Sequence, residues 1–123
     1  MTLIELTVVI LVLLALIAVL FIGARAWKAG SDRAGCIMNI RKAQMSVRSL
    51  SNLSGFTEGQ DVSPFDVENA LIGPGAYIEA EPSCPGSGVY TLGGNLIPAR
   101  GVLYMTCSLA AGDRHEPEEF AAW

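Results

Sequence analysis

Residues 1–24 read MTLIELTVVILVLLALIAVLFIGA, and the reading of this stretch decides the fold. From Leu6 to Ala24 there are nineteen residues without a charge, and Thr7 is their one polar side chain. As an α-helix they would span roughly 28 Å, about one hydrocarbon core, so a membrane-inserted helix is expected. No Lys or Arg precedes the run, and Arg25-Ala26-Trp27 lacks the small-residue pattern of a cleavage site. The segment is therefore expected to be retained rather than removed as a secretory signal.

Outward from this run the charges separate. Residues 25–48 carry six basic side chains (Arg25, Lys28, Arg33, Arg41, Lys42, Arg48) against Asp32. Residues 49–123 carry ten acids against Arg100 and Arg114, so a basic stem bears an acidic head within a formal net charge of −4. The stem is expected to complement the acidic heads around it. An acidic head whose aromatics are not interleaved with Lys or Arg argues against nucleic-acid binding.

Helical signals continue past the apolar run as far as Asn52-Leu53-Ser54-Gly55, where Gly55 suits the position just beyond a helix end. Gly23, Gly30 and Gly35 lie inside the span, each weakening a helix by up to ~1 kcal/mol relative to Ala, so a bend or loosened turn is expected between Gly23 and Gly35. On a wheel at 100° per residue, Cys36, Ile37, Ile40, Ala43, Val47 and Leu50 share one arc, interrupted by Arg33 and Gln44. That arc should cover the head. Met38 and Met45 fall on the far side, an apolar face that suggests a second partner. Ser63 to Leu71 reads as a short helix with Ser63 as cap and Pro64 at its first position. Gly88–Leu92 and Gly101–Cys107 read as two strands about a glycine-rich connection.

The expected fold class is therefore α+β: a long N-terminal α-helix, hydrophobic in its first half and amphipathic in its second, packed on a small C-terminal antiparallel β-sheet head. The chain divides into an apolar helix at 1–24, its amphipathic continuation at 25–54, a connecting loop with a short helix at 55–87, and strands with a C-terminal tail at 88–123.

Folding the hairpin brings Cys84 opposite Cys107. A disulfide there would close a loop of about two dozen residues and contribute on the order of 3 kcal/mol to a small head. Three cysteines in so short a chain also favour an oxidising compartment, outside the cytoplasm. Cys36, centred on the helical arc, reads as a packed, inert thiol. The sole histidine, His115, sits in Gly-Asp-Arg-His-Glu-Pro-Glu-Glu and reads as a solvated loop residue. With no second imidazole and no triad spacing, neither a metal site, a cofactor nor an enzyme is expected. The cluster Glu116, Glu118 and Glu119 reads as a solvated face.

Glu5 is the acid at the mouth of the apolar run. Thr2-Leu3-Ile4-Glu5 has the spacing of a capping box, and a carboxylate also suits the positive end of the helix dipole. An unpaired carboxylate at the edge of hydrocarbon is costly, however, and acids placed there usually have a partner. The amine of Met1, on the same chain or on a neighbour shifted along the helix axis, is the nearest cation. Pairing between chains would set the stagger of an assembly.

Met1-Thr2-Leu3-Ile4-Glu5-Leu6-Thr7-Val8-Val9-Ile10, followed by an uninterrupted apolar helix, resembles the N-terminus of mature type IV pilins and type II secretion pseudopilins. Gly75-Ala76-Tyr77-Ile78, then Pro82-Ser83-Cys84-Pro85-Gly86-Ser87-Gly88-Val89-Tyr90-Thr91-Leu92 and Cys107-Ser108, loosely resemble the cysteine-bearing sheet of pilin-like proteins of bacteria. The resemblance implies a chain whose basic leader has been cut by a prepilin peptidase, with the new terminus at Met1 N-methylated. It implies that Glu5 pairs with the amine of an adjacent subunit as the chain leaves the inner membrane for a helical filament at the cell surface. An assembly ATPase and an inner-membrane platform protein would drive that step. Met1 stands where most relatives have Phe, and Gly23 lies near a proline found in many pilins. The tail from Ser108 to Trp123 does not match the calcium loop of major pseudopilins, which favours a pilus subunit. Met1, Thr2 and Glu5 are thus the expected assembly residues. The alternatives are a secretion pseudopilin or a membrane-anchored binding domain.

Overall fold

A computed structural model describes residues 2–123, so the expectations placed on Met1 lie outside the described residues. The order of elements is α1 (Leu3–Ser54), α2 (Val67–Leu71), β1 (Tyr90–Leu92), β2 (Met105–Cys107) and α3 (Ala110–Asp113). This is the α+β arrangement expected, a 52-residue helix with a two-stranded antiparallel sheet. By internal contacts the chain forms two compact units, Met1–Ser31 and Asp32–Trp123.

In the first unit the helical hydrogen bonding passes through Gly23 and Gly30, where the sequence suggested a loosened turn. The capping box forms. The Thr2 backbone N–H donates to Glu5 Oε2 at 2.8 Å, and the Glu5 N–H donates to Thr2 Oγ1 at 3.3 Å. Two N–H groups at the helix start are thereby satisfied within the chain.

The second unit is built on the last part of α1. Its buried residues are Cys36, Ile40, Ala43, Gln44, Ser46, Val47, Leu50 and Ser51, which is the expected arc with Ile37 only half-buried and with Ser46 and Ser51 added. Met38 and Met45, on the other side, are 59% and 62% exposed. The helix ends as its sequence indicates. Gly55 takes φ +72°, and the Phe56 N–H reaches back to Ser51 O at 3.0 Å, the long bond of a Schellman cap.

The head rests on this arc in two groups. Val47 and Leu50 pack with Val62, Val67, Leu71, Ile97 and Tyr104. Cys36, Ile40 and Ala43 pack with Cys84, Met105 and Cys107. The hairpin register pairs Tyr90 with Cys107, Thr91 with Thr106 and Leu92 with Met105. Both strands are shorter than the sequence suggests, because residues 101–104 give their hydrogen bonds elsewhere. The Gly101 N–H donates to Trp123 O, and the Tyr104 N–H donates to Gln44 Oε1 at 2.8 Å. Gln44 also donates from Nε2 to Val102 O at 3.0 Å. This residue, read from the sequence as an interruption, is therefore a clasp holding the approach to β2 against the helix.

The short helix departs from expectation. Asp66, not Ser63, is the cap of α2; its carboxylate accepts from the Asn69 N–H at 3.0 Å. Ser63 is instead drawn to Asp61, whose Oδ1 accepts from the Ser63 N–H and hydroxyl. An ionised carboxylate makes stronger bonds than a hydroxyl, so the two Asp side chains divide the turn between them. The basic stem is likewise used within the chain. Arg33 pairs with Glu118 at 2.9 Å, and Arg48 donates to the carbonyls of Pro98, Ala99 and Trp123.

Replacing Gln44 with Met keeps the volume but strands a buried Tyr104 N–H and the Val102 carbonyl. An unmet buried group costs about 1–3 kcal/mol. The expected outcome is a melting temperature lowered on the order of 10 °C, read by near-ultraviolet circular dichroism of the full chain in detergent. An unchanged melting curve would show that the clasp adds nothing.

Candidate functional site

The described residues gather chemically reactive side chains at one place in the second unit. Cys36, Cys84, Cys107 and His115 are all buried, and one ligand-type atom from each lies within 4.8 Å of the others. Cys84 Sγ is 3.8 Å from Cys107 Sγ and 3.3 Å from His115 Nδ1.

Each residue arrives from a different segment. Cys36 is on the buried face of α1, and Cys107 is the last residue of β2, facing inward in a buried-exposed-buried strand. Cys84 opens the turn Cys84-Pro85-Gly86-Ser87, closed by the Ser87 N–H donating to Cys84 O at 3.0 Å, with Ser87 at φ 66°. His115 follows α3. Arg114 at φ 55° ends that helix, and the His115 N–H returns to Leu109 O at 3.3 Å, which turns the imidazole inward until the residue is 3% exposed.

The backbone around the cluster is shaped to it. A Cβ on Gly88 would stand 2.6 Å from Cys107 Sγ and 3.2 Å from Cys84 Sγ, and one on Gly86 would stand 2.8 Å from His115 Cε1. A Cβ on Gly35 would meet Pro85 Cγ at 2.9 Å, so a bare helix surface lets the Cys84 turn approach beside Cys36. Gly35, read from the sequence as a helix weakener, thus makes room for the turn.

Hydrogen bonds reach the sulfurs from outside the cluster. The N–H groups of Gly88 and Gly86 donate to Cys84. The Tyr90 hydroxyl bonds to Cys36 and accepts from Asn39 Nδ2 at 3.1 Å, and that amide also donates to Ser83 O. These contacts split the thiols. Burial pushes Cys36 well up, with Cys107 and Cys84 adding to the shift and Tyr90 opposing it. Burial acts the same way on Cys84, but the Gly88 and Gly86 N–H groups, with Cys36 and His115, outweigh it and bring that thiol below its usual range. Burial also raises the Tyr90 hydroxyl, with Cys36 adding to the shift.

Three sequence expectations are corrected here. Cys84 and Cys107 do meet, but no disulfide joins them, and all three cysteines are thiols. Cys36 is more than a packed thiol, because its sulfur stands among three other donors. His115 is buried rather than solvated, and the donor set offers a metal position where none was expected. No local signal in the sequence marked His115, because the acids beside it suggested solvent and its inward turn depends on Arg114 at φ 55° and the bond of its N–H to Leu109 O. Glu116, Glu118 and Glu119 remain exposed as expected, with Glu118 held by Arg33. At the other end of the chain, Thr2 and Glu5 are brought together by the capping box, and Met1 lies outside the described residues. No protein-family model, curated protein or solved structure matches this chain.

Gly88→Ala should destabilise the chain by about 1–3 kcal/mol through overpacking against two sulfurs. Gly112→Ala, where an added Cβ meets nothing within 4 Å, serves as the neutral control. Urea unfolding of both variants checks this, and equal midpoints would contradict the close packing of Gly88.

Proposed function

We propose that this chain is a structural subunit of a helical extracellular filament of the type IV pilus kind, which waits in a bacterial inner membrane and polymerises through the apolar part of α1. One observation carries the reading. Every residue from Thr2 to Ser31 is exposed, although this stretch holds the most apolar sequence in the chain. Leu20 is 70% exposed and Ile22 72%. The helix is long and apolar enough to cross a membrane. The second unit, by contrast, buries a core of its own.

A surface of this kind needs lipid or other copies of itself. Each Leu, Ile or Phe side chain moved from water to an apolar setting is worth about 1.5–3 kcal/mol, so covering a dozen of them supplies ample driving force for a polymer even after the entropic costs of association. In the membrane the lipid tails cover the helix, and in a filament neighbouring helices do. Head surfaces that include Met38 and Met45 offer a further apolar contact between subunits. The N-terminal resemblance supports the same reading. It brings in a prepilin peptidase, an assembly ATPase and an inner-membrane platform protein as partners, and N-methylation of Met1 as the modification.

Glu5 sets the register in this account. Its Oε2 serves the helix cap, and the carboxylate as a whole needs a cation once water is excluded. A neighbouring subunit's amine supplies that cation and fixes the axial offset between copies.

Glu5→Ala should leave the chain in the membrane fraction yet abolish regular fibres in negative-stain electron microscopy of sheared surface material, where the wild-type chain yields them. Abundant, regular fibres from the variant would refute the staggered pairing. A full-length wild-type chain that stays a monodisperse monomer without detergent would refute polymerisation altogether.

A further inference from the structure

The cluster in the head carries an inference independent of the filament. Three thiols and an imidazole from four separate segments meet in one buried cluster, and Ile40, Ala43 and Met105 pack with the cysteines. A tetrahedral zinc ion, with Zn–S near 2.3 Å and Zn–N near 2.05 Å, holds two sulfurs about 3.8 Å apart and a sulfur and nitrogen about 3.5 Å apart. The separations at Cys84 are 3.8 Å to Cys107 Sγ and 3.3 Å to His115 Nδ1. All the ligand atoms of the group lie within 4.8 Å of one another, so none has to close by more than about 1 Å to meet the same geometry, a movement within the reach of side-chain torsions.

We propose that Cys36, Cys84, Cys107 and His115 bind one Zn²⁺ ion in a closed, structural, tetrahedral site that fastens the hairpin and the C-terminal tail to α1. The donor type selects the ion. Thiolates with one imidazole exclude calcium and magnesium, which take oxygen, and a four-coordinate Cys₃His set with no open position is a structural zinc arrangement. On binding, the three thiols give up their protons to solvent, and His115 offers the lone pair of Nδ1 with its proton on Nε2. Three thiolates and Zn²⁺ leave the site with a single negative charge. The N–H groups of Gly88 and Gly86 on Cys84, and the Tyr90 hydroxyl on Cys36, are placed to share it. The glycines at 86 and 88 are then required by the site, since a side chain at either would enter it.

The head also needs such a fastener. Its sheet has two strands of three residues, and its other helices have five and four residues. A small domain with so little regular structure commonly relies on disulfides or a metal. A disulfide could use only two of the three cysteines and would leave His115 and the third thiol buried without purpose. Zinc uses all four.

The test uses the full chain purified in detergent without chelator. Elemental analysis should find about one zinc per chain. Exchange for Co²⁺ should give the visible d–d bands of a tetrahedral ion with a thiolate-to-cobalt charge-transfer band. Cys36→Ser and His115→Ala should each lower zinc occupancy at least tenfold, whereas His115→Cys should keep the metal and a tetrahedral cobalt spectrum, with its d–d bands moved to longer wavelength by the fourth thiolate. EDTA should lower the wild-type melting temperature by ~10 °C or more. If the serine and alanine variants do not fold, the cobalt spectrum and the EDTA shift on the wild-type chain decide alone. A Cys84–Cys107 disulfide in non-reducing peptide maps, iron or copper in place of zinc, or zinc retained at full occupancy by a folded Cys36→Ser chain would each overturn the proposal.

Discussion

The head exists because one face of α1 is apolar over its last five turns and has to be covered. Cys36, Ile40, Ala43, Val47 and Leu50 recur at the spacing that puts them in one line, and each is buried. The remainder of the second unit drapes over that line with six strand residues and nine residues of short helix. Little of its backbone can therefore be satisfied by regular pairing. It is satisfied by side chains reaching from the helix: Gln44 on Val102 and Tyr104, Arg48 on Pro98, Ala99 and Trp123, and Asn39 on Ser83. Buried backbone groups left unmet would cost more than these long side chains lose in entropy on being fixed.

The same constraint explains the composition of the arc. A strand or loop that runs beside a helix without a ladder partner presents carbonyl and N–H groups to it, and a wholly apolar helix face could not answer them. Gln44 carries one donor group and one acceptor on a single planar amide, which suits an N–H and a carbonyl two residues apart. Arg48 carries five N–H donors in a fixed fork, which lets it serve the carbonyls of Pro98, Ala99 and Trp123 together. The polar residues that break the apolar pattern are thus the ones that attach the loops. The basic character of the stem, which invited a reading as complement to neighbouring acidic heads, is in part an internal device.

The cysteine and histidine cluster lies where β2, the Cys84 turn and the C-terminal tail meet the helix. It also changes what the cysteine count means. Three cysteines in a small chain suggested a disulfide and an oxidising setting, because a sequence shows thiols without their neighbours. With His115 among them the same residues form a ligand set, and thiolates bound to a metal are shielded from the oxidation that would otherwise pair two of them. The apolar part of α1 and this cluster answer different needs. The first leaves an exposed apolar surface long enough to cross a membrane, and the second, as a proposed zinc site, fastens the head to the helix.

How much was legible in the sequence follows from which interactions are local. The helix from Leu3 to Ser54, its capping box at Thr2 and Glu5, its end at Gly55 and most of the buried arc were determined by sequence alone, since each depends on residues within a few positions or on a simple period, whereas the hairpin was legible only as two strand signals whose paired length Gln44 and Trp123 limit. Only the tertiary structure decided that Asp66 rather than Ser63 caps α2, that Gln44 on the buried arc holds Val102 and Tyr104, that Gly35 admits Pro85, and that His115 joins Cys36, Cys84 and Cys107. Periodicity reports which side of an element is covered, but not by which atoms. Residues brought together from four segments owe their meeting to the path of the whole chain, and no local pattern records that path.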